Sequence, residues 1–256
     1  MTVLIIGLGL IGGAVGIALR RSGWRVLYLD PHVPLDEARA AGAADERVEE
    51  ITGADMILIA TPVDVAIELV RDLRTAAIVT SVCSVMQPLR DAAHENFVAG
   101  HPMTGHHEGG LRHAREVVFA DTSWFLDAED PRVEQLVRDC GATPVLVEAA
   151  RHDAAVAITS HLPQVLSTAL FAYLGAQPDV LGFAGGGLRS FRLAASDGTM
   201  WHSVLAANRH HLRPHADAIA QLVRDILEGE DPGAFERARK AWLALTLYKQ
   251  RPSTKG

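Results

Sequence analysis

Cysteine is nearly missing from this 256-residue chain: Cys83 and Cys140 are the only two, and they match no metal or disulfide spacing. That excludes a disulfide-stapled or zinc-ribbon architecture and fits a reducing compartment, so a cytoplasmic protein is expected. No basic block stands out and the net charge is −7, which argues against a nucleic-acid partner. Nor is there an unbroken apolar run at the N-terminus. Val3 to Leu19 is interrupted by five glycines and lacks a charged lead, so neither a signal peptide nor a membrane span is expected. What is present is an ordinary soluble composition, 48% hydrophobic and 21% charged, on a chain long enough for one large domain or two modest ones.

The apolar run Thr2 to Ile6 leads into Gly7-Leu8-Gly9-Leu10-Ile11-Gly12. An alanine- and leucine-rich helical stretch follows to about Arg21, and Trp24 to Leu29 reads as a second buried strand ending at Asp30. Strand, glycine turn, helix, strand and acid within one short unit is the context that makes a GxGxxG pattern specific for a dinucleotide. Gly7 permits the turn, Gly9 lets backbone approach a pyrophosphate, and Gly12 lets helix pack on strand. The amides of Leu10 and Ile11, at the positive end of the helix, face the phosphates. Asp30 accepts from both ribose hydroxyls and repels a 2′-phosphate, and Arg25 comes too early to help NADP. The cofactor expected is NAD.

Helix and strand continue to alternate. Strands are expected at 55–60, 77–82, 97–100, 123–126 and 144–147, with a helix over 63–73. Parallel strands joined by crossover helices make one doubly wound sheet. Ala60, Thr61 and Pro62 then lie at a carboxyl strand end, where such sheets bind ligands. Ser84 and His101 belong to the same edge. His101 opens His101-Pro102-Met103-Thr104-Gly105, and proline and glycine there preclude a helix, so the imidazole stands on a rigid corner at a strand end.

After Glu148 no further strand is expected. A helix over 151–173 is kinked at Pro163, Gly185-Gly186-Gly187 makes a turn, and helices follow over 201–228 and 233–249. Phe235, Ala238, Trp242 and Leu245 form one apolar stripe, read as core or dimer surface. The expected class is therefore α/β: a Rossmann-type NAD-binding domain over 1–148, then an all-α substrate and dimerisation domain over 149–250, with a disordered tail at 251–256. So much helix with exposed apolar surface calls for a homodimer.

A cleft between such domains suits hydride transfer, which needs a proton acceptor and an anchor for an anionic substrate. His101 is the candidate base, against the alternative of a plain loop histidine. Arg192 is the candidate carboxylate anchor, against a surface salt bridge. His152 and His161 are nine residues apart, on helix faces about 180° apart, so both are not expected to face the site. His106, His107 and His113 have no carboxylate or cysteine partner at a characteristic spacing, and no metal is expected.

These residues carry a resemblance. GLGLIGG at the N-terminus, HPMTG at 101–105, HD…SHLPQ at 152–164 and RLAASD…W at 192–201 are similar, in order and spacing, to the prephenate/arogenate dehydrogenase family. The resemblance implies NAD-dependent oxidative decarboxylation of a small cyclohexadienyl carboxylate. It makes His101 the catalytic base toward the ring 4-hydroxyl, with Ser84 steadying that hydroxyl or the histidine. Arg192 binds the substrate carboxylate, Trp201 lines the pocket, and His152 and His161 orient. The chain departs from the family pattern at Ser81-Val82-Cys83-Ser84-Val85-Met86 and at His106-His107-Glu108-Gly109-Gly110, where His107 replaces a common glutamate at the pocket mouth. Gln164 replaces a common histidine.

The leading reading is thus a prephenate dehydrogenase yielding 4-hydroxyphenylpyruvate for tyrosine biosynthesis. A relative acting on arogenate or 4-amino-4-deoxyprephenate is the alternative within the same chemistry. A 3-hydroxyacid dehydrogenase needs a lysine base, and Lys240, Lys249 and Lys255 come too late in the chain to supply it. A non-catalytic NAD-sensing protein needs neither His101 nor Arg192.

Overall fold

The computed structural model describes residues 1–51, 53–106, 108–196 and 198–249, apart from the side chains of Arg189, Arg192, Thr199, Leu247, Tyr248 and Lys249. The tail assigned to 251–256 lies outside the described residues. Two compact units appear, Met1–Leu212 and Arg213–Gly256.

The first unit is built on six parallel strands: β1 (Thr2–Ile6), β2 (Arg25–Leu29), β3 (Glu46–Arg47), β4 (Met56–Ile59), β5 (Ile78–Ser81) and β6 (Phe97–Val98), in the order β3-β2-β1-β4-β5-β6. Helices α1 (Leu10–Arg21), α2 (Leu35–Ala41), α3 (Val63–Asp72) and α4 (Gln87–Ala92) supply crossovers. The central strands read as continuous apolar runs because both faces are covered. Val3 and Ile5 join one core cluster while Leu4 and Ile6 join the other. The chain order reverses between β1 and β4, the point where sheets of this kind open a crevice.

One expectation is corrected here. The strands beyond Val98 do not extend this sheet. β7 (Gly100–Pro102) pairs antiparallel with β8 (Ser123–Leu126), which pairs parallel with β9 (Thr143–Leu146), in a separate three-stranded sheet. His101 therefore sits within β7, opposite Phe125, and not at the end of a parallel strand. The chain leaves the first sheet at Ala99, whose amide is taken by the Asp127 carboxylate at 2.8 Å. At Gly100 a Cβ would lie 2.6 Å from the Ser81 carbonyl oxygen and 2.8 Å from Trp124 Nε1, so only glycine allows the two sheets to approach this closely. α5 (Pro131–Asp139) connects β8 to β9, capped by the Asp130 side chain.

The rest is helical: α6 (Ala149–Val156), a π turn (Ala157–His161), α7 (Leu162–Gly175), α8 (Gly186–Arg189), α9 (Gly198–Ala207), α10 (Arg209–Glu228) and α11 (Ala234–Lys249). The break expected at Pro163 takes the form of that π turn. Proline cannot donate to the carbonyl four residues back and its ring crowds it, and a wider turn relieves both problems. The run Ala149–Gly175 is long and apolar enough, by length and composition alone, to cross a membrane, yet it carries buried His152, Asp153 and His161. Phe171, Tyr173 and Phe183 are exposed in this unit. In the second unit Phe235, Trp242 and Leu245, the expected stripe, are exposed as well.

Candidate active site

The glycine turn has the geometry a dinucleotide requires. Gly7 has φ +91°, and a Cβ there would meet the Ala60 carbonyl oxygen at 2.7 Å. A Cβ on Gly12 would stand 2.1 Å from the Gly7 carbonyl oxygen, which is how closely α1 crosses the turn. Gly9, by contrast, has nothing within 4 Å of a Cβ, so the space above its backbone is open. α1 has no side-chain cap and no acid in its first turn, and its first internal bond runs from the Gly13 amide to the Gly9 carbonyl. The amides of Leu10, Ile11 and Gly12 thus precede the helical ladder and point to an anion. Asp30 follows β2 and accepts from the amides of Leu8 and His32, each at 2.8 Å, which anchors its carboxylate beside the turn. Ala60, Thr61 and Pro62 follow β4, with Ala60 against Gly7. These residues fit an NAD pyrophosphate and ribose.

Beyond β5 the chain ties this edge to a histidine cluster. Cys83 Sγ donates to the Thr61 carbonyl at 3.9 Å, and the amides of Met86 and Gln87 each donate to Asp153 at 2.9 Å. Ser84, half-buried, lies on the turn between these contacts. The buried Asp153 Oδ1 also lies 2.8 Å from His152 Nδ1, and His152 Nε2 lies 2.9 Å from His101 Nδ1. A carboxylate oxygen accepts, so His152 carries its proton on Nδ1 and presents a lone pair at Nε2. His101 then donates from Nδ1, and its Nε2, on the far side of the ring, is left with a lone pair. The chain of three fixes His101 as a proton acceptor.

His161 joins the same cluster, which corrects the expectation of opposite faces. One residue added to a helical turn rotates the succeeding helix by about 100°, so the π turn swings His161 back toward the side of His152. Asn208 Nδ2 donates to the Asp153 carbonyl at 2.8 Å and lies 3.1 Å from His161 Nδ1. With the Asn208 amide as donor, His161 holds its proton on Nε2, a buried atom without a partner among the described residues. Trp201 Nε1 is likewise buried without a partner among them, and its ring centroid is 5.9 Å from that of His161. Two buried N–H groups are thus left without an acceptor among the described residues. Burial pushes the His101 pKa down to about 3, and the neighbouring His152 and His161 act in the same direction. Burial also pushes His161 down to about 4, against a raising pull from Asp153. Both rings are neutral at physiological pH.

His107 lies outside the described residues, as does the side chain of Arg192, whose backbone stands in the 3₁₀ turn Arg192–Ala195. That turn is fastened to α7 by Gln164, whose Nε2 donates to the Leu193 carbonyl at 3.0 Å. Asp153 and Asn208 were not singled out from sequence as site residues. Asp153 had a signal, an acid directly after a histidine. Asn208 had none, since it is defined by the join between α9 and α10.

A family model described as prephenate dehydrogenase, nucleotide-binding domain, matches residues 15–142, and one described as prephenate dehydrogenase, dimerization domain, matches residues 148–234. The prephenate dehydrogenase of Lactococcus lactis subsp. cremoris (strain MG1363) is 28% identical, across 96% of this chain and 78% of that one. That of Bacillus subtilis (strain 168) is 30% identical, across 90% of this chain and 71% of that one. The fold is shared with a crystal structure of prephenate dehydrogenase from A. aeolicus in complex with hydroxyphenyl propionate and NAD+, at a TM-score of 0.80, 24% identity and 97% of each chain.

Proposed function

The chain belongs to the prephenate dehydrogenase family, and from that premise we propose that it carries out the NAD-dependent oxidative decarboxylation of prephenate to 4-hydroxyphenylpyruvate. The observation that carries the reading is the line Asp153–His152–His101, which leaves a neutral imidazole with its lone pair turned away from its partner. NAD, when bound, supplies the hydride acceptor, and the Gly7–Gly12 turn, Asp30 and Ala60–Pro62 are the residues that would hold it.

The chain's own groups handle the proton and the orientation. His101 Nε2 takes the proton of the ring 4-hydroxyl as the hydride leaves the same carbon. His152 accepts from the resulting imidazolium, and Asp153 stabilises His152 in turn. Departure of the ring carboxylate as CO2 leaves an aromatic ring, whose oxygen recovers the proton from His101. Much of the driving force lies in that aromatisation, so positioning is the main task of the protein. Ser84 steadies the hydroxyl or His101. Arg192 pairs with a substrate carboxylate, and His161 Nε2–H and Trp201 Nε1–H donate to substrate oxygen. The cofactor domain is 1–148 and the helical substrate and dimerisation domain 149–250.

We place this activity in a cytoplasmic homodimer. The free thiols Cys83 and Cys140 suit a reducing compartment. The exposed apolar side chains of the helical half, in a region matching a dimerization-domain model, favour a second copy over a lipid surface. NADH formation by purified protein with prephenate, arogenate and 4-amino-4-deoxyprephenate in parallel tests the reading. Turnover of prephenate is expected; turnover only of an amino-bearing substrate would move the assignment to the alternative, and NAD binding with no turnover would overturn it.

A further inference from the structure

Between β7 and β8 the chain gathers two imidazoles and two carboxylates that the proposed reaction does not use. The 3₁₀ turn Leu111–Glu116 creates the arrangement, because residues three apart eclipse in such a turn. Leu111 and Ala114 form the buried side, packed against Gly13 of α1. His113 and Glu116 form another. Glu116 Oε1 accepts from His113 Nδ1 at 2.8 Å and Glu116 Oε2 lies 3.2 Å from His106 Nε2, so one carboxylate faces both rings. The rings are stacked, with centroids 5.3 Å apart and planes 15° apart.

This fixes the opposite nitrogens as acceptors. His106 Nδ1 accepts from the Glu108 amide at 3.2 Å, and His113 Nε2 accepts from Arg112 Nε at 2.9 Å. Glu108 Oε2 stands 3.6 Å from His113 Nε2, beside the Arg112 guanidinium that donates to that nitrogen, so a cation already accompanies this carboxylate and lone pair. A carboxylate behind each imidazole, with lone pairs and a further carboxylate in front, is how proteins orient histidines toward a metal. One ligand atom each from His106, Glu108 and His113 lie within 4.8 Å of one another. Around a tetrahedral ion such atoms stand roughly 3.3 Å apart, for bonds of about 2.0–2.2 Å. Closing that gap takes rotation of the exposed Glu108 and of the two stacked rings, and the exposed Arg112 guanidinium must leave His113 Nε2.

We propose that His106, Glu108 and His113 bind a divalent transition-metal ion, with Glu116 as the carboxylate behind the two histidines. Two imidazoles and one carboxylate select zinc over magnesium or calcium. The ion would act as a clasp. It fastens the segment after His101 to the turn that packs on α1, the helix whose N-terminus faces the dinucleotide phosphates.

The test is a zinc titration of untagged, full-length protein freed of metal with a chelator, read by calorimetry and by melting temperature. One ion per chain and a rise in melting temperature are expected. Cobalt in place of zinc should give the visible absorption of a tetrahedral site. H106A and H113A should abolish uptake, and Glu116→Gln should weaken it roughly 10–100-fold. Glu108→Gln should weaken it at least as much, and because Glu108 is exposed this variant folds whatever becomes of the histidine variants. H210A, at the histidine pair on α10, should change nothing. Absence of saturable uptake, or uptake unchanged in Glu108→Gln and Glu116→Gln, would overturn the proposal.

Discussion

Replacing Asp153 with asparagine separates proton chemistry from simple packing. Asp153 is 1% exposed and accepts three donors: the Met86 amide and His152 Nδ1 on Oδ1, and the Gln87 amide on Oδ2. Asparagine must put an NH2 at one of those positions. Facing Gln87, it opposes a backbone donor and forfeits one charge-assisted bond. Facing His152, it opposes the Met86 amide and forces the His152 proton to Nε2. His101 would then be pushed to the tautomer that offers its substrate a donor in place of a lone pair. Either way one buried donor loses its partner, costing about 1–3 kcal/mol of stability, and the imidazolium formed during proton transfer loses its counter-charge. We expect kcat to fall by roughly 10²–10⁴-fold, with KM for NAD nearly unchanged. The assay is NADH formation at saturating NAD and prephenate, with a thermal melt beside it. His101→Asn combined with Asp153→Asn should be no slower than His101→Asn alone, because the residues act as one unit. A melt lowered by the expected amount with kcat within about threefold of wild type would refute the relay.

The glycine turn predicts a contrast. Gly12→Ala places a Cβ against a backbone carbonyl and should destabilise or misfold the protein, whereas Gly9→Ala meets no protein atom and should melt like wild type while raising KM for NAD. Equal effects in the two variants would contradict the phosphate assignment. Arg192→Ala should act on KM for prephenate and little on kcat, and a KM within about twofold of wild type removes it as the anchor. Stability should fall with acid. Burial depresses the pKa of both His101 and His161, so between about pH 6.5 and about 4 the unfolded chain binds more protons than the folded one. Each ring then costs about 1.4 kcal/mol per pH unit as pH drops below its unfolded value. A melting temperature flat from about pH 8 to about 5 would show that the rings are not held neutral.

Much of the candidate site could be proposed from sequence because it is local in sequence. The turn Gly7–Gly12 and the acid Asp30 fall within one βαβ unit, and steric demands on glycine act between neighbours. His101 was singled out from the proline and glycine after it, yet it lies within β7 and not at a strand-end corner. Its sheet was misplaced, because pairing with β8 instead of continuing beyond β5 depends on Gly100 fitting between Ser81 and Trp124. The spacing of His152 and His161 also misled, since a regular helix was assumed where the chain makes a π turn before Pro163. Asn208 carried no sequence signal, being defined by partners 47 and 55 residues away.

The sequence alone determined the class of fold and the cofactor, because both rest on short-range rules of backbone geometry and side-chain chemistry. It could not decide the protonation pattern of His101, which depends on an imidazole 51 residues further along and a carboxylate held by the start of α4. Nor could it bring Glu116 behind His106 and His113, since that placement comes from a 3₁₀ turn packed on α1. Hydrogen-bond direction is set by which groups meet in space, and only the tertiary structure brings them together.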